Sequence, residues 1–158
     1  SEGAEMEWTA YIIVKFLAYS VWSALGMRLL REAKPSGSRL LMGGLGYGLV
    51  RLGLGVAFGA AVWILTMGAL DGTAREYAAI YVPVRVVEWF LLAAFIRARG
   101  PSIGWRQARV LLWVAGGVAV SFAADLASPM SIKDHFCVGR CLCYLKSWMT
   151  HTPPDCVT

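Results

Sequence analysis

Five ionisable residues stand inside long apolar stretches of the sequence: Lys15, Arg51, Arg85, Glu88 and Asp125. An ionised side chain in a membrane-spanning helix costs about 2.5–3.5 kcal/mol on insertion scales, so it turns to the bundle interior and finds a partner. Spacings of three, four and seven residues show what shares a helix face with each one. Tyr11, Lys15, Tyr19 and Ser23 recur at every fourth position, and Arg51 stands between Gly48 and Gly55. Tyr77, Tyr81, Arg85 and Glu88 form a third stripe, and Gly117, Ser121 and Asp125 a fourth.

Three cations against two carboxylates leave one net positive charge among these residues. With tyrosine hydroxyls beside it, that surplus suits a lipid phosphate, a carboxylate or a small organic anion. The candidate ligand-binding set is therefore Lys15, Arg51, Arg85, Glu88, Tyr11, Tyr19, Tyr81 and Asp125, with Lys15, Arg85 and Glu88 at its centre. Each charge also has a plainer role open to it. Arg85 and Glu88, three residues apart, could neutralise each other on one helix face. Lys15 and Arg51 could snorkel to the two interfaces on their long stems, and Asp125 could be an interfacial residue.

The elements that must position these residues follow from composition. The chain has 158 residues, of which 58% are hydrophobic and only 16% charged, with a mean hydropathy of +0.57. Soluble domains carry about 25% charged residues, so one soluble domain could not hide this much apolar surface. Disordered chains are more polar still. About 20 apolar residues cross a bilayer core as a helix, and four windows qualify: Trp8–Met27, Leu40–Leu70, Tyr77–Ile96 and Val110–Ser128. The fold class expected is an all-α integral membrane protein, a four-transmembrane-helix bundle.

Charge sets the orientation. Arg28, Arg31, Lys34 and Arg39 lie between the first two windows, and Arg97, Arg99, Arg106 and Arg109 between the last two. Only Arg75 lies between the second and third, and the leader before Trp8 holds three glutamates and no cation. The positive-inside rule places both termini on the outer side of a bacterial-type cytoplasmic membrane. Lys133, Arg140 and Lys146 in the tail weaken this contrast without reversing it. The overall charge of +5 thus needs no nucleic-acid partner, because the cations flank apolar spans rather than forming a basic stripe with exposed aromatics. No cleavable signal peptide is visible, since the first apolar span is of full length.

The second window is longer than one crossing requires. Either its helix tilts and protrudes, or residues 40–50 form an interfacial or re-entrant piece. Gly44, Gly48, Gly55 and Gly59 fall along one face of it. Small residues let helix backbones approach closely in lipid, so this face is expected to pack against another helix, with self-association or a membrane-complex partner as a weaker implication. Pro83 lies within the third window and frees a carbonyl one turn before it.

Several chemistries are excluded. His135 and His151 both lie beyond the spans, as do all the cysteines, so neither a bis-histidine haem site nor a thiol centre fits the bundle. No phosphate-binding GxxxxGK, zinc-protease HExxH or hydrolase GxSxG motif occurs, and no cofactor is expected. The tail, residues 129–158, contains Cys137, Cys141, Cys143 and Cys156 and no alanine. On the outer side two disulfides are their natural fate. The alternatives are a metal site, for which the CxxxCxC spacing matches no strong zinc pattern, or an extension without a native role. The function expected is binding or transport of an anionic or amphipathic ligand, such as a lipid head group, in a polar bundle interior. The alternatives are an accessory subunit docking through its glycine-rich helix, and a lipid-phosphate enzyme with Glu88 as base.

Overall fold

The structure, a computed structural model, describes residues 2–32, 34–66, 74–100, 104 and 107–126. Four helices occupy them: α1 (Glu2–Leu30), α2 (Gly37–Thr66), α3 (Ala74–Ala98) and α4 (Ala108–Leu126). All four are long and apolar enough to cross a membrane. At most 39% of any spanning window is buried within the bundle, while Val21, Leu41, Met42, Leu65 and Leu112 stand exposed. Each helix thus has a narrow inward face and a broad apolar outer one, the pattern of a multi-pass membrane protein. The tail cysteines Cys137, Cys141, Cys143 and Cys156 lie outside the described residues.

Residues 40–50 belong to one continuous helix with the rest of α2. The helix runs unbroken through its glycines from Gly37 to Thr66. Pro83 is likewise accommodated inside α3, which continues to Ala98.

Contacts between helices show how they run. Ser20 lies against Gly48 and Met27 against Gly43, so α1 and α2 are antiparallel. Tyr47 donates to the Phe95 carbonyl at 3.3 Å while Arg51 reaches Glu88, which makes α2 and α3 antiparallel. Trp22 and Trp113 each donate an indole N–H to the other's backbone carbonyl at 3.0 Å, while Tyr11 reaches Asp125, so α1 and α4 are antiparallel too. α1 packs on all three other helices, whereas the α2 and α4 backbones do not approach each other among the described residues.

One half of the bundle has an apolar core. Met27, Leu30, Leu92, Ile96, Val110 and Trp113 pack there, essentially without exposure. Trp89 and Trp113 meet edge to face with ring centroids 5.2 Å apart, a favoured aromatic geometry. Glycine makes room for the indoles. A Cβ at Gly26 would stand 2.6 Å from the Trp113 ring, and one at Gly117 would stand 2.5 Å from the Trp89 ring. At the same end Arg31 donates to the Ile96 carbonyl at 3.1 Å, so with Tyr47 it satisfies acceptors in the last turn of α3.

A leucine at Gly117 must displace the buried Trp89. The G117L variant is expected to lose about 1–3 kcal/mol of stability through overpacking, read as a lower unfolding midpoint in detergent. An unchanged midpoint would show that the α3–α4 contact is looser than described.

Candidate functional site

The other half of the bundle holds the charges, arranged in two layers. The outer layer lies toward the start of α1 and the end of α4. Lys15 Nζ donates to Tyr11 Oη at 2.7 Å and to Asp125 Oδ1 at 2.7 Å, and Tyr11 Oη donates to the same Oδ1 at 2.9 Å. The other oxygen of Asp125, Oδ2, accepts from Arg85. One carboxylate therefore serves two cations, from α1 and α3, and a tyrosine hydroxyl. The Arg85 guanidinium lies 4.9 Å from the centroid of Phe122 and 5.7 Å from that of Tyr81, within range for cation–π attraction.

The inner layer centres on Arg51, which is 1% exposed. Its Nη2 donates to Glu88 Oε2 and, at 3.4 Å, to Ser121 Oγ. Arg51 thereby spans the diagonal between α2 and α4 that the backbones leave open. Its guanidinium is flanked by two rings, Tyr19 at 4.8 Å and Trp89 at 5.1 Å from their centroids. Trp89 in turn donates its indole N–H to Ser121 Oγ at 3.0 Å. Arg is suited to such a place because its planar, weakly hydrated group stacks on aromatic faces and forks toward a carboxylate.

The structure brings Lys15, Tyr11, Arg85 and Asp125 into the outer layer and Arg51, Glu88 and Tyr19 into the inner one. Tyr81 is half-buried beside Arg85. The pairing differs from what spacing along α3 allows: Arg85 reaches Asp125 of α4 and Glu88 reaches Arg51 of α2, and each of these pairs, like Lys15–Asp125, joins two helices. Asp125, near the end of α4, is 6% exposed and holds the outer layer together. Glycines on α2 divide by neighbour. Gly44 and Gly48 lie against Ser20 and Ala24 of α1, whereas Gly55 lies beside Arg51 and Glu88.

Trp89 and Phe122 belong to these layers but do not stand out in the sequence, where aromatic residues of membrane helices read as packing or interface residues. The available signal was spacing: Trp89 follows Arg85 by four residues, and Phe122 precedes Asp125 by three. Chemically, the outer layer offers an ammonium, a guanidinium and a phenol around a single carboxylate. Such a set holds anions by charge-assisted hydrogen bonds. Among the described residues no group of three His, Cys, Asp or Glu side chains could hold a metal ion.

Searches for similarity found no matching family model, no matching curated protein and no matching solved structure.

Breaking a buried ion pair from one side strands the other charge, at about 3–5 kcal/mol, whereas replacing both partners is far less costly. Arg51→Met and Glu88→Met are each expected to destabilise the bundle by about that amount, and the double variant by clearly less. Unfolding midpoints of the three variants in one detergent provide the check. Additive losses would mean that the two side chains are not energetically coupled.

Proposed function

We propose that this chain binds or transports an anionic or amphipathic ligand, a lipid head group or organic anion, in the outer charged layer. The observation that carries this reading is the sharing of Asp125 by Lys15 and Arg85. Two cations gathered on one carboxylate in a low-dielectric interior form a strongly polar cluster, and such donors hold an anionic group by charge-assisted hydrogen bonds. The apolar layer beneath, built from Trp113, Leu92, Ile96 and Val110, supports a site reached from one end. Transport requires that layer to open.

Gly44 and Gly48 support the ligand reading over the accessory-subunit one. They are already occupied by Ser20 and Ala24 of the same chain, so at that height the glycine face is not offered to a partner. On the positive-inside rule the basic α1–α2 and α3–α4 connections face the cytoplasm and both termini face outward. That orientation places the charged layer toward the outer leaflet of a bacterial-type cytoplasmic membrane.

Native mass spectrometry of the detergent-purified protein, before and after delipidation, tests the reading. A stoichiometric anionic lipid or metabolite is expected, lost in Arg85→Met and in Lys15→Met. A clean apo species, or binding unchanged in both variants, would overturn the assignment. Orientation has its own check: with the four native cysteines replaced by serine, Ser36→Cys is expected to react with an impermeant maleimide only after the membrane is permeabilised.

A further inference from the structure

At the end of the bundle beyond the apolar core, antiparallel packing gathers arginines from all four helices. Arg28 and Arg31 stand at the end of α1, and Arg97 and Arg99 at the end of α3. Arg39 lies in the first turn of α2 and Arg109 in the first turn of α4. The described carboxylate at this end is Glu32, which is exposed, and among the described residues no ion pair joins it to any of these arginines.

Topology asks only that cations lie on this side. Two of them are placed more definitely, both against the last turn of α3. Arg31 Nε donates to the Ile96 carbonyl at 3.1 Å. The Arg99 guanidinium lies 5.8 Å from the centroid of Tyr47, whose hydroxyl donates to the neighbouring Phe95 carbonyl at 3.3 Å. Capping the end of α3, where the helix dipole favours a cation, occupies one N–H of Arg31, and a guanidinium carries several. Arg99 makes no hydrogen bond or ion pair among the described residues.

Height matters as much as charge. The membrane-spanning stretches of α1 and α3 end at Leu30 and Ala98. Arg31 and Arg99 therefore follow directly on the apolar spans, at the level of lipid phosphates. Before Arg99, the exposed side chains of Phe95, Leu91 and Val87 recur at every fourth position, and residues so spaced share a helix face. From Val87 to Arg99 the helix rises about 18 Å, close to the roughly 15 Å of hydrocarbon in one leaflet. A cation at the head of an apolar row one leaflet long matches a phospholipid. An acidic soluble protein or a nucleic acid has nothing to lay along that row.

We propose that Arg31 and Arg99 hold the phosphate of an anionic phospholipid from the leaflet at this end, with an acyl chain along Phe95, Leu91 and Val87. The guanidinium fork matches phosphate oxygens, and the excess of arginines over Glu32 selects a net anionic head group over a zwitterionic one. Along α1 this site lies about 24 Å from Lys15 of the outer charged layer. It is a second site, and it does not depend on what the outer layer binds.

The test titrates the delipidated full chain, in one detergent, with dioleoyl phosphatidylglycerol and separately with dioleoyl phosphatidylcholine, reading lipid adducts by native mass spectrometry. Tighter binding of phosphatidylglycerol is expected. Arg99→Gln is expected to weaken one phosphatidylglycerol adduct about fivefold, and the Arg31→Gln/Arg99→Gln double variant about thirtyfold. Arg109→Gln, an exposed charge at the same end but outside the site, is expected to leave that adduct unchanged. Excess glycerol 3-phosphate is expected not to displace it.

Equal binding of the two lipids by the wild type overturns the site. A loss in Arg109→Gln as large as that in Arg99→Gln also overturns it, because diffuse charge rather than a seat on α3 would then select the lipid. Displacement by glycerol 3-phosphate overturns the role of the apolar row. If the double variant does not fold, Arg99→Gln decides, since Arg99 is exposed and takes no part in capping α3. A ligand of the outer layer is a separate adduct that depends on Arg85 and Lys15, so either site can fail without the other.

Discussion

A charge buried among apolar helices must meet its opposite within hydrogen-bond reach, and for Lys15, Arg51 and Arg85 an opposite comes from another helix. Asp125 of α4 ties α1 to α3 through Lys15 and Arg85, and Glu88 of α3 ties down Arg51 of α2. Lipid supplies no hydrophobic drive between helices, so packing and polar contacts must hold them together. Ion pairs also fix register, because a slip by one turn would leave several ions without partners. The heights of all four helices are tied together by five side chains, most of them near the middle of their helices.

The opposite end is held by shape. Indoles fill it, and glycines stand where the indoles press: Gly26 under Trp113, Gly117 under Trp89, Gly116 against Trp22. The Trp22–Trp113 exchange of indole N–H for backbone carbonyl satisfies both polar tips of rings buried in an apolar setting. Trp89 joins the two halves. One side of it is the edge-to-face partner of Trp113, and its N–H reaches Ser121 beside Arg51. The charged half is therefore bordered by aromatic surface and, beyond it, by an apolar layer.

This division bears on function. A polar interior that ran from end to end would suit a pore; here the buried charges stop at an apolar layer. Glycine on α2 follows the same division. Where Gly44 and Gly48 lie, α1 closes tightly on α2; where Gly55 lies, the neighbours are a guanidinium and a carboxylate. Close approach of the backbones in the first place is a consequence of a missing Cβ.

The sequence by itself determined the helices. Hydrophobic length, the clustering of Lys and Arg between spans and the breaks at Pro35 and Gly100 are local properties, and α1 to α4 follow them. It also marked which side chains a membrane interior must satisfy, since the desolvation penalty of Lys15, Arg51, Arg85, Glu88 and Asp125 belongs to residue type and depth alone. Partner choice was not legible. Spacing along α3 favours an Arg85–Glu88 pair, yet Arg85 meets Asp125 and Glu88 meets Arg51. Which pairs form depends on the rotation and relative height of separate helices, and nothing in a one-helix periodicity encodes either. The tertiary structure decided them because the glycine–indole packing and the crossing of Arg51 set those rotations together. A residue at a helix end such as Asp125 becomes central only once three helices converge on it.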